Sequence, residues 1–136
     1  MNPILHTDDP DKAFHYRVEP YVVAADVYGS PPFTGQGGWT WYTGSSGWMY
    51  RLGLEGFLGL KKSGEQLIVD PRIPRDWPGF RITYRYGESI YEFQVENPGH
   101  LHQGVQEVSL DGRLLPDKVI PLSRDGGKYA VLVVLG

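Results

Sequence analysis

The stretch "TGSS", residues 43–46, puts a hydroxyl, a glycine and two more hydroxyls where a helix is expected to begin. The first N–H groups of a helix have no intrahelical acceptor, and the helix dipole is positive there. A hydroxyl beside such N–H groups can hold an anion such as phosphate. Thr43 and Gly44 are the candidate anion ligands, and Ser45 and Ser46 add hydroxyls to the same turn. An ordinary N-cap threonine followed by a turn glycine has the same pattern. Residues 37–53, which surround this stretch, hold three of the chain's four tryptophans and five of its 18 glycines. Tryptophan offers a broad apolar face with one N–H donor, and glycine lets another group approach the backbone. The combination suits a flat polar ligand such as a sugar ring, and it also suits a tightly packed helix junction. Trp39 and Trp41 are therefore candidates either for sugar stacking or for core packing. Trp48, one turn into the helix, is assigned to the core.

Periodicity indicates the elements that must position these residues. Asp9 and Pro10 in "DPDKAFHY" (9–16) stand in helix-start positions. In "EPYVVAADVY" (19–28), Tyr21, Ala24, Ala25 and Tyr28 follow Pro20 at helical spacing, which predicts a second helix. "GSPPFTGQGG" (29–38) reads as a loop. A further helix is expected from Thr43–Ser46 to about Leu60, with Gly53, Gly56 and Gly59 in one stripe. Each glycine costs about 1 kcal/mol relative to alanine, so the stripe implies close backbone packing. With Trp48, Leu52, Leu54, Phe57 and Leu58, that helix is expected to be buried nearly all round. After Gly64 the period becomes two. Strands are expected at 66–70, 80–86, 90–96, 105–112 and 128–136, with "YGES" as a hairpin turn. They read as an antiparallel β-sandwich. Two or three helices, one of them apolar on most faces, cannot cover one another, so they need further partners or must pack on the sheet.

Composition narrows the function. The 136 residues amount to one ordinary domain or a piece of a larger one. A net charge of −3 argues against nucleic acid as a partner. The absence of cysteine excludes disulfides and cysteine-type zinc sites and fits a reducing cytosol. The longest apolar run, 130–135, is too short to span a bilayer, and the opening residues carry acidic groups rather than a leader's apolar core. His100 and His102 are two apart but have no third ligand nearby, so no metal site is assigned. Asp8 and Asp9 read as a helix-start cluster. "GQGG" lacks the strand–helix context of a dinucleotide fingerprint. Glu19 and Asp26 could line a pocket, or form a salt bridge within the helical layer.

"VEPYVVAADVY", "GGWTWYTGSSGWMYRLGLEGFLGLKK", "LIVDPRIPRDWPGF" and "YRYGESIYEFQVENP", in that order, resemble the C-terminal end of the family 94 glycoside phosphorylases. These were formerly glycosyltransferase family 36, and the closest likeness is to the phosphorylase region of cyclic β-1,2-glucan synthases. The resemblance implies an α+β chain in which residues 1–64 are the last helices of an (α/α)6 barrel catalytic domain, itself incomplete. Residues 65–136 would form an antiparallel jelly-roll or β-sandwich domain. It also implies inverting phosphorolysis of a β-glucoside, with inorganic phosphate as co-substrate and an α-sugar 1-phosphate as product. Thr43 and Gly44 match the family's phosphate-binding Thr-Gly pair. The family's general-acid aspartate and its basic phosphate ligands lie upstream and match no segment here, and Asp26 is wrongly placed to be that acid. No catalytic residue and no cofactor is therefore assigned, and the chain alone is expected to be inactive. Members acting on cellobiose or chitobiose have a glutamine about where Ala25 stands, which points to another linkage such as a β-1,2-glucan.

The expected partners are a β-glucan or α-sugar 1-phosphate, inorganic phosphate, and either the missing barrel polypeptide or a second copy of the chain. The expected location is the cytoplasm, or the cytoplasmic part of an inner-membrane protein. A fragment with an uncovered helical layer should expose a large apolar patch. The alternative is a stand-alone β-sandwich module that binds carbohydrate, or another partner, through Trp77, Tyr84, Tyr86 and Tyr91. Those residues would then line one exposed sheet face. A scaffold without a ligand is the third possibility.

Overall fold

The computed structural model describes residues 3–41 and 43–136, and of Thr43 the backbone alone. The chain divides into two compact units, Met1–Tyr50 and Arg51–Gly136.

In the first unit a 3-10 turn, Pro3–His6, precedes helix α1, Pro10–Tyr16. Asp9 caps α1 by accepting the Lys12 N–H at 2.9 Å, and Pro10 follows in the first turn. The helix stops at Arg17, whose φ of 55° is left-handed. Tyr16 is buried and stacks on His6 with ring centroids 4.8 Å apart.

The helix expected over 19–28 does not form. Instead this segment runs beside residues 35–39. The Ala25 N–H donates to the Trp39 carbonyl at 2.7 Å, Gly38 to Asp26 at 2.8 Å and Tyr28 to Gln36 at 2.9 Å. Pro20 and the β-branched Val22, Val23 and Val27 favour such an extended path, and the cross-chain bonds outweigh the helical spacing of the aromatic and alanine positions. The same pairing explains two glycines. A Cβ at Gly37 would collide with Val18, and one at Gly38 with the Asp26 carboxylate.

Helix α2 spans Thr43–Arg51, and a π-helical turn, Leu52–Phe57, follows it. The Leu58 N–H donates five residues back to the Gly53 carbonyl at 2.9 Å. The helix expected up to about Leu60 is thus present, but its expected burial is not. Trp48, assigned to the core, is 70% exposed, and Tyr50, Leu52 and Phe57 are exposed too. No described residue between 44 and 57 is buried. Space beside Gly53 is open. These residues have the composition of an interior helix.

The second unit holds two sheets. β1 (Leu60–Ser63), β2 (Gln66–Val69) and β7 (Val119–Pro121) form one, in the order β1-β2-β7. The other has five strands: β3 (Gly79–Tyr86), β4 (Ser89–Glu96), β5 (Val105–Leu110), β6 (Arg113–Leu114) and β8 (Lys128–Leu135). Their order is β3-β4-β8-β5-β6. The β3–β4 hairpin has the expected alternation: Arg81, Thr83 and Arg85 face out, while Tyr91, Phe93 and Val95 are buried. Short strands β1, β6 and β7 lay outside the five anticipated.

The expectation of a wholly antiparallel set needs one correction. β8 is parallel to β4, with Tyr91 opposite Tyr129 and Val95 opposite Val133, and antiparallel to β5. The chain passes through β5, β6 and β7 before it returns, so β8 enters the middle of the sheet running the same way as β4. Its near-continuous apolar run suits a central strand. Both sheets contribute to one core, which includes Leu67, Val69, Tyr91, Phe93, Ile120 and Val133.

One rim of that core depends on Asp125. Its carboxylate accepts hydrogen bonds from the Tyr129 hydroxyl at 2.6 Å, the Gly127 N–H at 2.8 Å and the buried Ser89 hydroxyl at 3.1 Å. The Tyr129 hydroxyl and then the Gly127 N–H favour the charged form most, lowering the pKa from 3.8 to about 2. A carboxylate with a lowered folded-state pKa stabilises fully above its unfolded value and loses that contribution as pH falls through its folded value. Asp125→Asn should therefore flatten the stability profile between pH 3.8 and about 2 and leave its shape near neutrality unchanged. Urea titrations at stepped pH measure this.

Candidate functional site

Helix α2 brings its first turn to the surface. Gly44 is exposed, and among the described residues no atom outside its chain neighbours and the helix's own backbone lies within 4 Å of where a Cβ would stand. The Thr43 side chain lies outside the described residues. Ser45 and Ser46 line a cleft of about 270 Å³ together with Tyr21, Val22, Val23, Trp41 and Met49. No cationic side chain is among these lining residues, so the favourable field for an anion there comes from the helix end.

Trp41 forms the cleft's aromatic wall. It is 66% exposed, and its φ of 64° is a region that bulky residues rarely occupy. Its indole N–H donates to Glu19 Oε1 at 3.4 Å, and its ring meets Tyr21 edge-on at 6.2 Å and 72°. Trp39 is also exposed but does not line this cleft. Its backbone N–H donates to Asp26 Oδ1 at 3.1 Å. The two tryptophans, paired in the sequence reading, thus belong to different surroundings. Among the described residues neither Glu19 nor Asp26 forms the salt bridge considered for them: Glu19 accepts the Trp41 indole N–H and Asp26 the Trp39 backbone N–H. The wall made by Tyr21, Val22 and Val23 was not anticipated, because those residues were placed on a helix. Pro20 followed by two valines was the available signal against that helix.

The remaining candidates separate clearly. The His100 ring nitrogen Nδ1 lies 3.0 Å from the Arg75 carbonyl, and among the described residues no three metal-ligating side chains converge. On the sheets, Tyr86 and Tyr91 are buried and Tyr84 packs against the core. Of the four aromatic residues considered for a glycan-binding face, only Trp77 is exposed. The outward row of β3 is Arg81, Thr83 and Arg85.

Residues 1–59 match the model of the glycosyl hydrolase 94 superfamily, catalytic domain. Over 109 residues, 80% of this chain, the sequence is 45% identical to a cyclic beta-(1,2)-glucan synthase, NdvB, of Rhizobium meliloti. Over its whole length it is 35% identical to an N,N'-diacetylchitobiose phosphorylase of Vibrio proteolyticus. Over 60% of its length it is 34% identical to a 3-O-beta-D-glucopyranosyl-beta-D-glucuronide phosphorylase of Paenibacillus borealis. The aligned stretches make up 4%, 17% and 10% of those three relatives, so the chain spans only a small part of each. The residues around Gly44 and the Trp41 cleft all fall within the segment matched by the family model, and on these matches the chain belongs to the glycosyl hydrolase 94 superfamily.

Proposed function

We propose that the chain is the C-terminal part of a family 94 glycoside phosphorylase, or of the phosphorylase region of a cyclic β-1,2-glucan synthase. In this reading Thr43 and Gly44 supply part of the phosphate site for inverting phosphorolysis of a β-glucoside, and Trp39 and Trp41 are its candidate sugar contacts. Residues 1–64 are the closing helices of a barrel and residues 65–136 its jelly-roll neighbour. Inorganic phosphate is the co-substrate, and no cofactor is invoked. The partners are a β-glucan or α-sugar 1-phosphate, together with the remaining barrel polypeptide or a second copy of the chain. The cytoplasmic side of the cell is its place. No helix among the described residues is long and apolar enough to cross a membrane.

The observation that carries this reading is the open, exposed turn at Gly44 inside the matched catalytic segment. The exposed Trp48 and Tyr50 of the first unit, and separately the exposed Phe57 of the second, support it, since each is apolar surface that further barrel helices would cover. A stand-alone glycan-binding module is disfavoured, because its aromatic residues are mostly spent in the core.

An anion held by a helix end and hydroxyls, without cations or a general acid, is bound weakly and its reaction is not accelerated. Titrating inorganic phosphate into the isotope-labelled chain should shift the Gly44, Ser45 and Ser46 amides with an affinity on the order of millimolar. The Thr43→Val variant should weaken this. The same chain incubated with β-1,2-glucan and phosphate should release no sugar 1-phosphate. Silent amides at Gly44 would overturn the site, and robust turnover would overturn the fragment reading.

A further inference from the structure

We propose that β3 is a seam between two copies of the chain, which pair edge to edge and antiparallel about a two-fold axis at Ile82. The seam lies wholly within the second unit, so its failure would leave the phosphate reading untouched.

Among the described residues β3 pairs with β4 on one side and with no strand on the other. The remaining outer strands, β1, β7 and β6, have only four, three and two residues. β1 carries Lys61 and Lys62 and β7 ends in Pro121, which blunt those edges further. The eight-residue edge of β3 is thus matched in length only by another β3. Its backbone is also set for pairing. The Asn97 N–H donates to the Pro78 carbonyl at 2.9 Å, and bonded pairs alternate along an antiparallel ladder. Phe80, Ile82, Tyr84 and Tyr86 therefore bond to β4, while Gly79, Arg81, Thr83 and Arg85 direct their N–H and C=O groups outward. Among the described residues no backbone bond reaches those outward groups.

The side chains select the register. Arg81, Thr83 and Arg85 are exposed on the outer face, as are Glu92 and Glu96 of β4. Gly79 stands opposite Glu96, and Thr83 opposite Glu92. Arg85, Glu92 and Glu96 form no ion pair among the described residues. A second β3 centred on Ile82 would set the partner's Arg85 opposite Gly79 and the partner's Arg81 opposite Thr83. Each arginine would then reach across a small residue to a glutamate two strands away, Glu96 or Glu92. That is about 10 Å between Cα atoms, within the combined reach of the two side chains. The two-fold axis repeats every contact and closes the pair. Centring on Thr83 would instead set Arg81 opposite Arg85 twice, a like-charge clash. On the inner face, the Ile82-centred register puts Ile82 against Ile82 and Phe80 against Tyr84. All three are only half-buried in one copy, and the second would cover them.

Sedimentation velocity of the full chain over a concentration series should show a monomer–dimer equilibrium. Arg85→Glu should weaken the dimer about tenfold, as should Glu96→Arg, and the two together should restore it. Thr83→Pro removes an outward N–H that β4 does not use, so it should leave only monomer. Unchanged Phe93 and Val133 amide signals verify that the sheet is intact, and if Thr83→Pro loses them the charge exchange alone decides. The native chain has no cysteine, so a single one can mark the axis. Ile82→Cys should oxidise to a disulfide-linked dimer, because a directly opposed pair of this kind lies about 4.5 Å apart at Cα. Thr83→Cys should not.

A monomer at every concentration would overturn the proposal. So would self-association that both Thr83→Pro and Arg85→Glu leave intact, or cross-linking of Thr83→Cys in place of Ile82→Cys.

Discussion

Gly59→Ala is expected to destabilise the second unit by roughly 3–5 kcal/mol, at the upper end of single-residue effects. Gly59 has φ of 75°, where an alanine is strained whatever the space. Here there is also no space, because a new Cβ would meet the Asp70 carbonyl and the Pro71 nitrogen. These are backbone atoms and cannot rotate away. The contact lies at the mouth of the β1–β2 pair, where the Asp70 N–H donates to the Gly59 carbonyl at 3.0 Å and Leu60 sits opposite Val69. Parting these strands would uncover Leu67 and Val69, both nearly inaccessible in the fold. Hydrogen exchange at the Leu67 and Val69 amides, together with urea denaturation, would register the loss. The matching control is Gly53→Ala. Among the described residues nothing beyond the helix's own backbone and the chain neighbours lies within 4 Å of a Cβ there, so the change should stabilise this chain by up to about 1 kcal/mol through helix propensity. In a complete enzyme with a second helix against Gly53, the same substitution should instead destabilise. Opposite signs in the two settings would support a missing partner at that face.

Asn97→Ala should cost about 3 kcal/mol, since it leaves several buried groups unpaired at once. Asn97 is 1% exposed. Its amide donates to the Trp77 carbonyl at 3.0 Å and the Leu101 carbonyl at 2.9 Å, and its side-chain oxygen accepts the Leu101 N–H at 2.8 Å. One side chain thereby ties the loop before β3 to the loop after β4, and its backbone N–H bonds Pro78 besides. Asn97→Asp keeps the acceptor and loses the donor, so it should fall between alanine and the native residue near neutral pH. A change confined to Trp77 emission with intact strand protection would show local loosening rather than loss of the fold.

How much of this was legible in the sequence follows from how local each feature is. The β3–β4 hairpin could be read because alternation and a glycine turn are carried by consecutive residues. The start of α2 could be read for the same reason, with long family motifs adding to the case. The path of 19–28 could not, because it is decided by bonds from Ala25, Asp26 and Tyr28 to residues some ten positions on. The neighbours of β8 could not either. Its apolar run announces a buried strand, but nothing in that run says which strands flank it or in which direction. Asn97 went unremarked because "NPG" reads as an ordinary turn, and its importance comes from Trp77 and Leu101 closing around it.

The position of β8 bears on how the protein is made. The strand at the centre of the five-stranded sheet is the last of the five to be synthesised, so β4 and β5 emerge from the ribosome before the element that joins them. Until residues 128–135 arrive, each presents an open edge able to recruit a strand from another chain. Late insertion of a central strand also requires contacts distant in sequence, which slows folding. Nascent chains stalled within β7 should therefore be the most aggregation-prone, and a peptide of the β8 sequence supplied in trans should rescue them.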